Sequence, residues 1–217
     1  MTVRVYRGRA AEPAADRAVT ADLLTETAET RIPAVRVWQP HRQVAFGRRH
    51  SHADGYDAAR AAADDRGYHA IVRRVGGRAV AYTGRTLAVA SAVPIDDVRR
   101  GTCDRYDDVS GALIDALSDL GADVMRDEPA DAYCAGSHSV SGVTKGEPTG
   151  KLAGVAQRVQ SGAALVAASL TVAEADIEAI QSVLGPVYRA LAVPFDPDTV
   201  GSVSTAGGPD DPAVVRR

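Results

Sequence analysis

Cys134 and Lys151 are the residues of this chain whose types and surroundings best suit group-transfer chemistry. Cys134 stands in Tyr133-Cys134-Ala135-Gly136-Ser137-His138-Ser139-Val140. A thiolate is the most nucleophilic of the ordinary side chains, and nearby cations increase its share. His138, four positions on, offers a base, although sequence neighbours need not face each other. The competing reading of Cys134 is a small buried hydrophobe, the commoner fate of a free cysteine. Of the 25 basic residues, only Lys145 and Lys151 are lysines; the rest are arginines. A lysine kept against that bias suggests a position where arginine does not serve. Lysine is a compact charge whose pKa falls on burial, whereas guanidinium is a planar fork that stays charged. The alternative is two codons retained by chance in a polar turn, and Lys145 is expected to be an exposed turn lysine.

A third stretch is Arg73-Arg74-Val75-Gly76-Gly77-Arg78-Ala79, set between two apolar runs. Paired glycines let backbone N–H groups approach a ligand, and adjacent arginines can hold a carboxylate or phosphate. The plain reading is a two-residue hairpin turn. A phosphate loop ending at Gly150-Lys151 is rejected: the spacing from Gly146 is one residue short, and Leu152 stands where Ser or Thr should bind magnesium. No metal site is expected. Cys103 and Cys134 are far apart with no Cys-x-x-Cys pair, and His50 and His52 have no third ligand in view. Cys103 is assigned no role.

The elements that must position these residues follow from periodicity. Strands are expected at Val3–Tyr6, Ala34–Trp38, Gln43–Phe46, 70–73, 79–82, 86–93, 124–126, 137–141, 151–157 and 163–170. Helices are expected over 16–29, 54–66, 106–120 and 174–184, the last stopped by Gly185-Pro186. Helices and strand groups mix without regular β-α-β alternation. The expected fold is therefore a single α+β domain with a mostly antiparallel or mixed sheet packed against helices. The domain is expected over residues 1–203, with the glycine- and proline-rich 204–217 disordered. The net charge of −3 gives no reason to expect nucleic acid as a partner. No run is apolar enough to span a bilayer, and the N-terminus lacks a signal-peptide core, so a cytoplasmic protein is expected.

Taken in order, the three stretches resemble the lipoate–protein ligase and octanoyl/lipoyl transferase family of the biotin/lipoate ligase (BPL/LPL) superfamily. The matching pattern is an Arg-x-Gly-Gly turn, a helix, then a Lys-(Ile/Leu)-Ala-Gly-x-Ala-Gln strand, here Lys151-Leu152-Ala153-Gly154-Val155-Ala156-Gln157. Val44-Ala45-Phe46-Gly47-Arg48 is similar to the family's strand ending in Gly-Arg, and Gly84-Arg85-Thr86-Leu87 sits at its Gly-x-Leu position. The resemblance spans roughly residues 15 to 190. It implies the family's catalytic-domain fold and chemistry on the lysine of lipoyl carrier domains, such as the glycine-cleavage H protein and E2 subunits of 2-oxoacid dehydrogenases.

Departures from the pattern bear on the branch. ATP-dependent ligases carry a third glycine where this chain has Arg78, and His-Asp where it has Thr83-Gly84. Many also carry a C-terminal accessory domain, which is not expected here. Cys134-Ala135-Gly136-Ser137 resembles the Cys-Pro-Gly-Ser segment of the ATP-independent amidotransferases. That resemblance implies that Cys134 holds the octanoyl or lipoyl group as a thioester while Lys151 steadies the thiolate and orients the acyl carbonyl. It places Arg73, Arg74, Gly76, Gly77, Arg78, Ala79, Gly136, Ser137, Ala153 and Gly154 along the acyl or nucleotide site, with the small Ala79, Ala81, Ala153 and Gly154 leaving an apolar slot. No cofactor is then needed. The rival within the family is an ATP- and magnesium-dependent lipoate ligase using Lys151 and the 73–77 turn. A non-enzymatic rival binds an acyl group or carrier without turnover, as an accessory subunit would.

Overall fold

A computed structural model describes residues 2–144 and 146–216. The exposed turn expected at Lys145 lies outside the described residues.

The chain runs β1 (Arg4–Arg7), α1 (Pro13–Thr30), β2 (Ala34–Trp38), β3 (Gln43–Phe46), a 3-10 turn (His50–His52), α2 (Tyr56–Asp64), β4 (His69–Val72), β5 (Val80–Tyr82) and β6 (Leu87–Pro94). It continues α3 (Thr102–Asp119), β7 (Val124–Arg126), β8 (Val140–Thr144), β9 (Glu147–Gln160), β10 (Ala163–Leu170) and α4 (Ala175–Ala190), closing with α5 (Pro212–Val215). The strands form a seven-stranded sheet in the order β1-β2-β6-β10-β9-β8-β7 and a three-stranded sheet in the order β4-β3-β5. Most pairs are antiparallel, but β1 runs parallel to β2 and β3 parallel to β4. The architecture is the expected single α+β domain with a mixed sheet. Among the described residues, no helix is long and apolar enough to cross a membrane.

Three apolar clusters hold these layers together. Leu23 and Leu24 of α1 pack on Ala34, Trp38, Ala88, Ala90 and Ala92, where small residues let the helix sit close to the strands. Leu117 of α3 packs on Val140, Leu152 and Leu170. Around the small sheet, Phe46, Tyr68, Val80, Tyr133, Cys134, Ile180, Val187 and Tyr188 are buried together.

The expected bounds of α4 and of the strand over 137–141 are corrected. α4 does not stop at Gly185-Pro186 but runs on to Ala190 with Pro186 inside it. A proline in a helix interior costs roughly 3 kcal/mol and a glycine about 1 kcal/mol. Beyond them Val187, Tyr188 and Leu191 are buried, and each such side chain returns about 1.5–3 kcal/mol. Burial therefore outweighs the breakers. Past Val203 the described residues carry local structure of their own. Ser204–Ala206 form a 3-10 turn, the Ala206 carbonyl accepts the Asp123 N–H at 2.7 Å, and Pro212 at the start of α5 is buried. The strand expected over 137–141 begins only at Val140, because the Ser139 N–H turns back to the Gly136 carbonyl.

Candidate active site

β3 and β4 run parallel, and the Arg73 N–H extends their pairing by donating to the Phe46 carbonyl at 2.9 Å. The chain then turns through residues 74–79 into β5. This turn lies against β3's end: a side chain on Gly47 would place its Cβ 1.8 Å from the Gly77 carbonyl oxygen. Gly77 has φ +90°, and a Cβ there would fall 2.7 Å from the Cys134 sulfur and 2.6 Å from Arg73 Nη2. Only glycine fits at either position.

The turn delivers two donors to the sulfur. The Arg78 backbone N–H donates to Cys134 Sγ at 3.1 Å, and Arg73 Nη2 donates to it at 3.2 Å. Arg73 is itself aimed by a 2.7 Å bond from Nη2 to the Arg78 carbonyl. Both donors stabilise negative charge on sulfur. Cys134 is 8 % exposed and adopts φ +48°. For a residue with a Cβ, that left-handed conformation costs of order 1–3 kcal/mol and persists only where the surroundings enforce it.

Lys151 supplies part of that enforcement. It sits where the β8–β9 pairing shifts register on both sides of it, and its side chain is fully buried. Nζ donates to Glu128 Oε1 at 2.9 Å and Oε2 at 3.1 Å, and to the carbonyls of Tyr133 and Cys134, each at 3.0 Å. Glu128 Oε2 also accepts the Gly136 N–H at 3.0 Å. The ion pair thus grips the backbone on both sides of Cys134. Burial pulls the Lys151 pKa below its ordinary value against the opposing pull of Glu128 and Cys134. The ammonium also lies 5.2 Å from the Tyr133 ring centroid, and burial raises the pKa of that phenol.

The structure brings Arg73, Gly77, the Arg78 amide, Cys134 and Lys151 together. The cation on the sulfur is Arg73, while Lys151 is bound to the carbonyl of the same cysteine. Gly136 joins through its amide, and Gly154 lies beneath Lys151, its site for a Cβ being 3.4 Å from Cε. Arg74, Gly76, Ser137 and the Arg78 guanidinium are exposed beside these groups, the Gly76 N–H reaching the Gln157 carbonyl at 3.4 Å. Ala79, Ala81 and Ala153 are buried. An apolar cavity of about 410 Å³ lies between α3 and the strands, lined by Val35, Val37, Val89, Leu113 and Leu170.

His138 stacks on Tyr106 at 4.6 Å, with Nδ1 3.3 Å from Asp107 Oδ1 but off the hydrogen-bond line. His50 is buried with Nδ1 unpartnered, and its pKa is lowered by burial and by Arg78, Arg73 and Arg49. His52 is exposed, as is Cys103. Among the described residues, no group of three or more His, Cys, Asp or Glu gathers in a way that would hold a metal ion.

Sequence reading missed two participants, Glu128 and Tyr188. Glu128 is one of 28 acidic residues, with no local pattern to mark it. Tyr188 carries the one available signal, a hydroxyl on the apolar stripe of α4, which the stop expected at Gly185 concealed.

The lipoyl protein ligase A/B catalytic-domain model matches residues 12–207. No curated protein sequence matches the chain. Among solved structures, the fold is similar to a lipoate-protein ligase A bound with ATP, with TM-score 0.67 and 16% identity over 94% of this chain and 92% of that one. A putative lipoate protein ligase from T. acidophilum with bound lipoic acid gives TM-score 0.60 and 17% identity, covering 94% and 92%. The bipartite lipoate protein ligase from Thermoplasma acidophilum, studied with its E2 lipoyl domain, gives 0.58 and 16%, covering 94% and 90%. The chain belongs to the lipoyl protein ligase A/B catalytic-domain family of the biotin/lipoate protein ligase superfamily.

Proposed function

We propose that this enzyme is an acyltransferase that moves an octanoyl or lipoyl group onto the lysine of a lipoyl carrier domain through a thioester on Cys134. The observation that carries this reading is the pair of donors on one sulfur, the Arg78 N–H at 3.1 Å and the Arg73 guanidinium at 3.2 Å. A buried cysteine kept only for packing has no use for two such donors.

In the first step the Cys134 thiolate attacks the donor's acyl carbonyl. The carbon–sulfur bond forms, the bond to the donor breaks, and the leaving group takes a proton. In the second step the acceptor's neutral lysine amine attacks the thioester. The amide forms, the carbon–sulfur bond breaks, the amine's proton leaves, and the thiolate returns to its two donors. Splitting the transfer replaces one difficult step with two easier ones. The acceptor follows from the family; a related bipartite ligase has been studied with its E2 lipoyl domain. A reducing, cytoplasmic setting suits a mechanism that needs a free thiol.

A second reading is favoured by the similar structures with bound ATP and lipoic acid. In it the enzyme is an ATP- and magnesium-dependent lipoate ligase. Arg73, Arg74, Gly76 and Arg78 would then hold the nucleotide phosphates; Gly76 has space for close approach, since a Cβ there would meet only the Gln157 carbonyl oxygen at 3.6 Å. Bound ATP supplies activation of the acyl carboxylate, and Lys151 would neutralise charge nearby.

Purified enzyme incubated with octanoylated carrier and acceptor lipoyl domain, without ATP, separates the readings by intact mass. The thioester reading expects an octanoyl adduct on the enzyme, absent in Cys134→Ser, together with acylated acceptor. Transfer only after ATP, magnesium and free lipoate are added overturns it in favour of the ligase.

A further inference from the structure

The hydroxyl of Tyr188 joins the two segments that build the thiol site. It donates to the Ala79 carbonyl at 2.8 Å and accepts the Cys134 backbone N–H at 2.6 Å. One partner is the nucleophile's own amide. The other belongs to the residue directly after Arg78, whose N–H faces the sulfur. The ring is 1 % exposed and edge-on to His50, with centroids 6.4 Å apart. Burial raises the phenol's pKa, so the hydroxyl stays neutral with one proton to donate and lone pairs to accept.

Without that hydroxyl, the Cys134 N–H and the Ala79 carbonyl each lose the one hydrogen-bond partner they have among the described residues. Buried backbone groups left unpaired drive local rearrangement. Cys134 is the residue least able to absorb it, because its φ of +48° relaxes as soon as the constraint is released. Relaxation would swing Sγ away from the Arg78 N–H. Lys151 holds the same cysteine by its carbonyl; Tyr188 alone holds its amide.

We infer that Tyr188 is a positioning residue for the nucleophile: it clamps Cys134 in its left-handed conformation against the turn that carries the sulfur's donors. The inference rests on the thioester reading for its effect on turnover and stands apart from it for its effect on the thiol. It also gives α4 a task beyond packing, since the helix must pass Gly185 and Pro186 to present this ring.

The test uses Tyr188→Phe in a Cys103→Ser background, so that Cys134 is the only thiol. Adduct formation from octanoylated carrier is expected to fall 10- to 100-fold in kcat, with KM within about two-fold. Iodoacetamide alkylation of Cys134 is expected to slow, and hydrogen exchange in the peptide holding Cys134 to quicken while peptides of α1 keep their protection. Wild-type rates of alkylation and exchange in the variant overturn the inference, as does a loss of rate that only tracks the unfolded fraction seen by circular dichroism. If the Phe variant does not fold, 3-fluorotyrosine at position 188 weakens the oxygen as an acceptor while keeping the ring. A several-fold slower alkylation with an unchanged Tm is expected, and an unchanged rate overturns the clamp. A wild-type control that forms no adduct on Cys134 sinks the thioester reading, and alkylation still decides the role of Tyr188.

Discussion

Glu128→Gln removes one charge while leaving size and hydrogen-bonding oxygen in place, so it isolates the worth of the ion pair beneath Cys134. In the native protein Lys151 Nζ is fully buried and meets one carboxylate and two carbonyls. Breaking a buried pair costs about 3–5 kcal/mol. The Glu128 side chain is 21% exposed, so solvent takes up part of the loss, and about 2–3 kcal/mol is expected. For a chain of this size that lowers Tm by roughly 5–10 °C. The pH dependence gives a sharper check. Burial already depresses the Lys151 pKa in the folded state, and removing its carboxylate depresses it further. Between the depressed folded value and the ordinary lysine value, the unfolded chain binds a proton that the folded chain does not, so stability rises with pH there. Below that window both states are protonated and the cost is fully present. The variant's deficit in differential scanning calorimetry should therefore be largest near neutrality and shrink as pH rises into the alkaline range. A deficit that is absent, or that grows with pH, refutes the reasoning.

Other perturbations address the sulfur and its scaffold. Arg73→Gln removes a charged donor worth about 1.5–3 kcal/mol, so acyl-adduct formation by stopped-time mass spectrometry should slow roughly 10- to 100-fold. An unchanged rate would mean that the guanidinium is not engaged when the thioester forms. Gly77→Ala forces a Cβ into φ +90°, within 2.7 Å of the Cys134 sulfur; its strain of about 1–2 kcal/mol should show as a lower Tm, and adduct formation should fall at least about ten-fold. Pro186→Ala restores a helical N–H in α4 against a smaller gain in unfolded-chain entropy. It should stabilise the fold by about 1–2 kcal/mol in urea titration, and destabilisation would show that α4 needs a proline-specific bend.

Local pattern was enough where burial alternates or the strand is bounded by turn residues. Ala34–Trp38, Gln43–Phe46, Val124–Arg126 and Ala163–Leu170 have the bounds that periodicity and flanking breakers suggest. It failed where a partner decides. β9 starts at Glu147, four residues before Lys151, because β8 pairs with that polar stretch. α4 passes two breakers because apolar residues on both sides of them share one buried face. At the site, the residue types were legible and their division of labour was not. Lys151 meets Glu128 across 23 positions, and Tyr188 meets the Cys134 amide across 54. Contacts that distant leave no periodic trace in a single sequence.

That division of labour bears on the choice between the two chemistries. A ligase using Lys151 alone has no use for a cysteine in the left-handed region, a conformation costing about 1–3 kcal/mol. Yet three separate elements maintain it here. β9 holds the Cys134 carbonyl through Lys151, α4 holds its amide through Tyr188, and the turn after β4 holds its sulfur through Arg73 and the Arg78 N–H. Each anchor sits at a different atom of one residue, so none duplicates another. Packing by itself asks for no such convergence, since an alanine at 134 in relaxed backbone would fill much the same space. Convergence on backbone N, backbone O and Sγ is what a nucleophile requires when its sulfur must stand at a fixed point beside its donors. The arrangement therefore weighs toward the thioester route, and Cys134→Ala should test that weight directly: a more stable protein that no longer acquires the acyl mass.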